Sequence, residues 1–254
     1  MRKLILSALV ATGMVAAAGA ANANEGAVLT KPGFSWEGVF GQYDKAALKR
    51  GYQVFHDVCS NCHSLKLVAY RNLSAVGLTE DEIKVVAAER ELPDAPNDEG
   101  IISPRPGRAS DKYIAPFANE KAAAAANGGA APPDLSLMAK ARVGGPNYIY
   151  SLLLGYEDEA PAGHPIPEGK YFNHIFPGNA ISMPPQVMDD LVTYADGTKA
   201  TKEQITRDVV TFLNWAAEPE LDARKSMGLK VMIFLGVLTA LMYALKRQIW
   251  KNLH

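Results

Sequence analysis

Cys59-Ser60-Asn61-Cys62-His63 holds the only two cysteines of the 254-residue chain, and it constrains the fold more than any other feature. Two thiols about one turn apart can each form a thioether to one vinyl group of a haem. A His directly after the second thiol can reach the iron from the proximal face. This C-x-x-C-H spacing therefore reads as a c-type haem attachment site. A fold built around it must wrap a large flat cofactor. Three other uses of the cysteines weigh less. A C-x-x-C disulfide is strained and usually redox-active. A thioredoxin-like dithiol needs a βαβ setting, and none surrounds the string. A zinc knuckle needs a second ligand pair, and there are no further cysteines.

The chain opens like a secretory signal. Arg2 and Lys3 form a charged start, residues 4–18 are apolar and small, and Ala21-Asn22-Ala23 is an A-x-A cleavage string. Residues 1–23 are expected to be removed, with the mature chain starting at Asn24. The pattern resembles a bacterial export signal rather than an Arg- and Ser-rich transit peptide. Near the other end, residues 227–245 are apolar apart from Lys230 and Thr239. That run of about 19 residues is close to the roughly 20 needed for a helix to cross a bilayer. Lys230 can snorkel to one interface. Tyr243 and Trp250 suit the other, beside Lys246, Arg247 and Lys251. Basic residues flank both ends equally, so the export signal sets the orientation. Residues 24–221 are expected in the periplasm, 222–250 in the cytoplasmic membrane of a bacterium, and 251–254 in the cytoplasm.

The near-neutral total charge conceals an asymmetry. All 27 acidic residues, but only 18 of the 26 basic ones, lie between Glu25 and Asp222. The exported part therefore carries about nine excess negative charges. Such a field argues against nucleic acid as a ligand and favours a basic protein partner, whose encounter it would accelerate. Residues 89–99 and Glu157-Asp158-Glu159 are the candidate docking segments.

About 200 exported residues suffice for one domain. Asp44 can cap a helix that carries Ala46, Ala47, Leu48, Tyr52 and Phe55 into the cysteine string. Thr79 with Glu82 and Thr201 with Gln204 are capping boxes. The first opens a helix to about Arg90, the second one through Trp215 that Glu218-Pro219 ends. Residues 146–154 form a short apolar helix stopped by Gly155, residues 134–142 an amphipathic one, and the anchor helix starts near Leu221 or Asp222. No convincing alternating strands are present, so the domain is mainly α. Residues 92–112, 122–133 and 157–185 are long loops rich in Pro, Gly or Ala, suited to enclosing the cofactor.

His63 supplies one axial bond. For the other, Met138 reads as a core residue of its helix, Met188 as a surface residue before two aspartates, and His56 is too close to Cys59 to reach the distal face. Met183 stands on an extended loop stiffened by Pro184-Pro185. It can deliver a thioether to the distal face, and Met/His ligation raises the potential. His164 and His174 remain rivals for bis-His ligation.

These strings together resemble the cytochrome c1 family. The resemblance runs through nearly the whole mature chain. It is carried by the C-x-x-C-H string, by residues 126–136 with Pro132-Pro133-Asp134-Leu135-Ser136, and by 141–148. Residues 176–185 with Met183-Pro184-Pro185, 194–197, Trp215-Ala216-Ala217-Glu218-Pro219 and Arg224-Lys225 before the anchor complete it. It implies a class I cytochrome c-like haem domain with long wrapping loops and one C-terminal transmembrane helix. It implies that Met183 is the axial ligand, that Arg142 and Tyr148 approach the haem propionates, and that Asn127, Pro132 and Pro133 line the haem crevice. Some bacterial relatives carry an extra cysteine pair in the loop before the ligand Met; this chain lacks it. The implied function is electron transfer within a quinol–cytochrome c oxidoreductase, beside cytochrome b. One electron would come from a Rieske iron–sulfur protein and pass to a soluble c-type cytochrome. No catalytic acid, base or nucleophile is expected. The rivals are a membrane-anchored haem enzyme with an open distal site and a free-standing membrane relay.

Overall fold

The computed structural model describes residues 27–163 and 165–251. The expected signal segment, His164 and residues 252–254 lie outside them. Seven α-helices follow in chain order among the described residues: α1 (Lys45–Asp57), α2 (Glu80–Ala88), α3 (Glu120–Ala126), α4 (Met138–Ala141), α5 (Gly145–Leu154), α6 (Lys202–Ala217) and α7 (Leu221–Trp250). Short 3-10 segments cover Cys59–Asn61 and Tyr70–Val76. The mainly α expectation holds, with small additions. Three two-stranded antiparallel ribbons pair β1 (Leu65–Ala69) with β4 (Lys112–Tyr113), β2 (Glu91–Pro93) with β3 (Pro104–Pro106), and β5 (Tyr171–Phe172) with β6 (Ala180–Ile181). Strands this short leave no alternation to read in the sequence.

Helix α6 is the centre of the domain. Its residues from Ile205 to Ala217 are buried except Arg207, so it is enclosed on nearly all sides rather than along one stripe. Its polar side chains are accommodated individually. The hydroxyls of Thr206 and Thr211 donate back to the carbonyls of Lys202 and Arg207, each at 2.7 Å, a pattern open to Ser and Thr in helices. The Asn214 amide donates to Tyr43 Oη at 2.8 Å. Helix α1 lies across α6 with Leu48, Val54 and Phe55 inward. Phe55 meets Phe212 at 5.3 Å between ring centroids, and Phe212 stacks on Trp215 at 5.6 Å.

The two helices touch at Gly51, where a Cβ would run into the Asp208 carbonyl group. Next to this crossing, the Arg50 guanidinium donates through Nε and Nη2 to the fully buried Asp208 carboxylate, at 2.8 and 3.1 Å. Its Nη1 reaches Asp196 at 2.7 Å. A forked cation on a buried carboxylate removes the cost of an unpaired charge.

The caps follow their sequence signals with one exception. Asp44 accepts from the amides of Ala46 and Ala47, and Thr79 and Glu82 form both halves of a capping box at 3.2 and 2.7 Å. Thr201 caps Gln204 N at 3.2 Å, but the Gln204 side chain turns inward to Asp208 at 3.0 Å, so the second box is half-made. One other expectation needs correction. Within residues 134–142 only Met138–Ala141 is helical, because the Asp134 carboxylate accepts the Ser136 amide at 2.9 Å and opens a turn instead. Gly155 stops α5 as expected, with its backbone on the right-handed side (φ −84°). A side chain there would strike Ile175 and the Ser151 carbonyl, so the glycine serves close approach of the 173–175 segment. Met138 packs half-buried against the core, and Met188 is exposed, as expected.

Replacing Arg50 with Ala leaves Asp208 buried and unpaired, and is expected to cost about 3–5 kcal/mol of unfolding free energy. Denaturant unfolding of the full-length protein in detergent measures it; a loss under about 1 kcal/mol, the range of an exposed ion pair, would contradict the account. Gly51→Ala is expected to destabilise in the same assay, through forced separation of α1 and α6.

Candidate functional site

Helix α1 runs directly into the cysteine string. The 3-10 turn Cys59–Asn61 is closed by Cys62 N and His63 N, which both donate to the Cys59 carbonyl at 3.1 and 2.9 Å. Both thiols are half-buried and unpaired. Burial pushes the Cys59 thiol up to about 12, and the neighbouring Cys62 adds to the rise. A reactive dithiol needs the opposite, a thiol lowered toward neutral pH. The Ser60 hydroxyl donates to the His56 carbonyl at 2.7 Å, and the Arg90 guanidinium donates to the Ser60 carbonyl at 3.3 Å. The turn is thus held from inside and from the β2 side.

His63 is oriented by one bond. Its Nδ1 lies 2.7 Å from the Pro133 carbonyl oxygen. A carbonyl can only accept, so Nδ1 carries the proton and the Nε2 lone pair of the neutral ring is available to a metal. Burial pulls the His63 pKa below its ordinary value; the Pro133 bond and the Asp134 charge oppose this without cancelling it. The neutral, ligating form is therefore favoured.

The Pro133 carbonyl is itself set by Asp134. One Asp134 oxygen accepts from Ser64 Oγ and the Lys66 amide, each at 2.8 Å, while the other accepts the Ser136 amide. Leu135 N donates to the Ser64 carbonyl at 3.0 Å and Leu67 N to Ser136 Oγ at 3.0 Å. These bonds lace the segment after His63 onto the loop that carries Pro133. Burial acts to raise the Asp134 pKa, but bonds from the Lys66 amide and from Ser136 and Ser64 outweigh it and hold the carboxyl below its ordinary value.

A second group of residues leads from α5 through Tyr156 to Met183. Helix α5 buries Tyr148, and burial raises that phenol while the Arg142 charge lowers it. Arg142 and Tyr148 therefore lie within electrostatic reach of each other. Arg142 is exposed, its Nη1 on the Ala141 carbonyl at 3.2 Å. Just beyond α5, the Tyr156 hydroxyl donates to the Met183 carbonyl at 2.9 Å. Burial and the neighbouring Tyr148 both raise the Tyr156 phenol, so it remains a donor. Met183 is half-buried, two residues past β6. The β5–β6 ribbon is braced by Asn173, whose amide donates to the Leu152 carbonyl at 2.8 Å and whose Oδ1 accepts from Ile175 N at 3.0 Å. Asn173 thus ties the turn end of the ribbon to α5, and Tyr156, just beyond α5, holds the end that delivers Met183.

Of the other expected residues, Pro133, whose carbonyl holds His63, has an exposed ring, and Pro132 is half-buried. Asn127 ends α3 and spends its amide on the Ala123 carbonyl at 2.7 Å. His174 Nδ1 pairs with Glu157 at 2.9 Å, and His56 with Glu89 at 3.2 Å; His164 lies outside the described residues. Sequence reasoning gave no role to Asp134, Tyr156, Asn173 or Arg90. Asp134-Leu135-Ser136 carried a readable turn signal; the long-range contacts of Tyr156 and Arg90 had none.

The donor set suits a covalent haem: two free thiols on one turn, an imidazole with Nε2 available, and a thioether on a braced loop. The described α7 has a mean hydropathy of 2.0 in its most apolar window and is unburied there. Its 30 residues make it long enough to cross a membrane. Comparison with known proteins agrees. The model of the Cytochrome C1 family matches residues 34–253. A cytochrome c1 of Rhodospirillum rubrum is 61% identical, with 99% of each chain covered. A mitochondrial cytochrome c1 haem protein of Arabidopsis thaliana is 48% identical over 98% of this chain and 81% of the relative. A mitochondrial "cytochrome b-c1 complex catalytic subunit" of Candida albicans is 51% identical over 87% and 78%. With a family model over most of its length and such relatives end to end, the chain belongs to the cytochrome c1 family.

Proposed function

We propose that this chain is the haem c subunit of a quinol–cytochrome c oxidoreductase of the bc1 type, relaying single electrons from a Rieske iron–sulfur protein to a soluble c-type cytochrome. The observation that carries the reading is the His63 Nδ1–Pro133 bond. It presents Nε2 beside two thiols on one turn, the arrangement a c-type haem needs. Family membership and the name of the Candida relative support the assembly with cytochrome b and Rieske subunits.

When bound, a haem c supplies an iron that alternates between ferric and ferrous states and so carries one electron. Cys59 and Cys62 would hold the group through thioethers, and His63 Nε2 and the Met183 thioether would hold its iron. Arg142 and Tyr148 would approach the propionates, and Asn127, Pro132 and Pro133 would line the crevice. Tyr156 and the Asn173 brace keep the Met183 loop in place, so Met183 would stay on the iron and exclude small ligands. No bond to a substrate is made or broken. Residues 24–221 form the periplasmic haem domain, 222–250 the anchor in a bacterial cytoplasmic membrane and 251–254 the cytoplasmic tail. The export signal at 1–23 supports this orientation.

Pull-down of the chain from native membranes in mild detergent tests the assignment. Co-purifying b-type haem with quinol-dependent reduction of a soluble cytochrome c is the expected result. A c-type haem alone, without quinol activity, would favour a free-standing relay.

Three consequences follow from the site. In Met183→Leu the sixth position opens, so the ferrous protein is expected to bind carbon monoxide, and partner reduction fails; absence of carbon monoxide binding would place another residue on the iron. Replacing Glu157, Asp158 and Glu159 with Lys is expected to slow reduction of a basic soluble cytochrome about 10-fold or more at low salt. The effect should shrink as salt screens it, and an unchanged low-salt rate would remove these residues from the docking surface. Asp134 has a depressed folded-state pKa, so its contribution to stability is complete above the ordinary value of 3.8 and is lost as pH falls below it. Asp134→Asn is expected to flatten the acid limb of the unfolding profile. An acid limb identical to that of the parent would show that the carboxylate does not tie the Pro133 loop.

A further inference from the structure

Residues Trp36 to Gly41 form a loop beside the first turn of α7, and its tip is unusually apolar. Val39 is 76% exposed and Phe40 78%. Phe40 is more exposed than Phe234, at 63%, which lies in the middle of α7. Adjacent exposed apolar side chains on a polar domain mark an interaction site when the backbone beneath them is fixed.

The backbone here is fixed by packing, by its own hydrogen bonds and by α7. Trp36 is buried, stacked on Phe34 at 4.2 Å and tilted against Tyr43 at 5.4 Å. Glu37 N donates to the Phe34 carbonyl and Gln42 N to the Ser35 carbonyl, each at 3.1 Å. Gly38 is left-handed (φ 70°), and a Cβ on Gly41 would collide with the Glu37 carbonyl, so glycine is required at both ends of the tip. The third tie comes from α7. Lys225 Nζ donates to the carbonyls of Trp36, Gly38 and Gly41 at 2.5, 2.6 and 3.0 Å. An ammonium has three protons, and these three acceptors use them all. Lys225 can therefore sit at a water-poor interface without reaching out to solvent. Asp222 Oδ1 also accepts from Tyr43 N at 3.1 Å.

The position of this clamp sets the height of the tip. Lys225 precedes Met227, the start of the apolar run, by two residues, which is about 3 Å along a helix. We propose that Val39 and Phe40 seat in the headgroup layer of the bilayer beside α7, and that the Lys225 clamp holds the haem domain at a set height above the membrane. The inference rests on the reading that α7 crosses a membrane. The bilayer is favoured over a protein partner because a stable protein interface buries roughly 800 Å² on each side. Two side chains are far too few for that, but an aromatic and an aliphatic tip suit the interface. Exposed Arg224 and Lys230 beside the clamp suit anionic headgroups.

The test uses the full-length, haem-loaded protein in nanodiscs of phosphatidylcholine and phosphatidylglycerol. With Cys59 and Cys62 bonded to haem, an introduced thiol is the reactive one and takes a nitroxide label. Labels go on Phe40→Cys, on Val237→Cys in the middle of α7, and on Ile102→Cys. Ile102 is also exposed and apolar, but sits between β2 and β3. There Arg90 ties the start of the hairpin to Ser60, beyond the far end of α1. Collision of each label with oxygen, which concentrates in lipid, is compared with collision with a water-soluble nickel chelate. The expected result is a preference for oxygen at Phe40 that approaches Val237, with Ile102 preferring the chelate. Lys225→Gln should shift Phe40 back toward the chelate. A Phe40 label that behaves like Ile102 while Val237 is in lipid would overturn the proposal alone. Protection of Phe40 from both colliders would overturn it in favour of a protein contact. A Val237 label open to the chelate would overturn the membrane-crossing reading and this inference with it.

Discussion

The crossing of α1 and α6 at Gly51 is the constraint from which the rest of the molecule follows. Gly51 lets the two backbones approach, and Arg50 removes the cost of burying Asp208 at the same point. The helices then lead in different functional directions. The C-terminal end of α1 becomes the Cys59–His63 turn. The C-terminal end of α6 passes through Glu218-Pro219-Glu220 into α7. The proposed haem turn and the proposed membrane anchor are thus the two free ends of one packed helix pair. Their relative position is as stiff as that core, and close-packed interiors transmit displacement rather than absorb it.

Backbone carbonyls do much of the positioning elsewhere. Pro133 sets the His63 tautomer, Met183 is gripped by Tyr156 through its own carbonyl, and three carbonyls collect Lys225. In each case a loop without regular structure supplies the acceptor. Loops have unpaired carbonyls because they lack ladder partners, and here those groups orient side chains. The Pro133 and Met183 loops therefore contribute backbone acceptors to the candidate site.

Much of this was legible from residues alone. The C-x-x-C-H string, the caps at Asp44 and Thr79, and the apolar run before the C-terminus each act over a few residues, and local physics fixes them. The extent of α4, the conformation of Gly155 and the half-made Thr201 box were not legible. Each is decided by a competing contact: Asp134, whose turn with Ser136 is reinforced by the Lys66 amide, Ile175 against Gly155, and Asp208, one turn on, drawing Gln204 inward. Tyr156 and Asn173 were missed because their partners, Met183 and Leu152, are distant in sequence. A tyrosine in a loop gives no sign that its hydroxyl will hold a carbonyl 27 residues later. Asp134 was the recoverable omission, since its spacing to Ser136 already signals a turn.

The central claim is that the iron lies between His63 and Met183. X-ray absorption at the iron edge of the full-length protein addresses it without any substitution, because sulfur and nitrogen scatter differently and lie at different distances from the metal. The account predicts one sulfur among the iron's ligands. Nitrogen at every position would contradict it and move His164 or His174 into the sixth place.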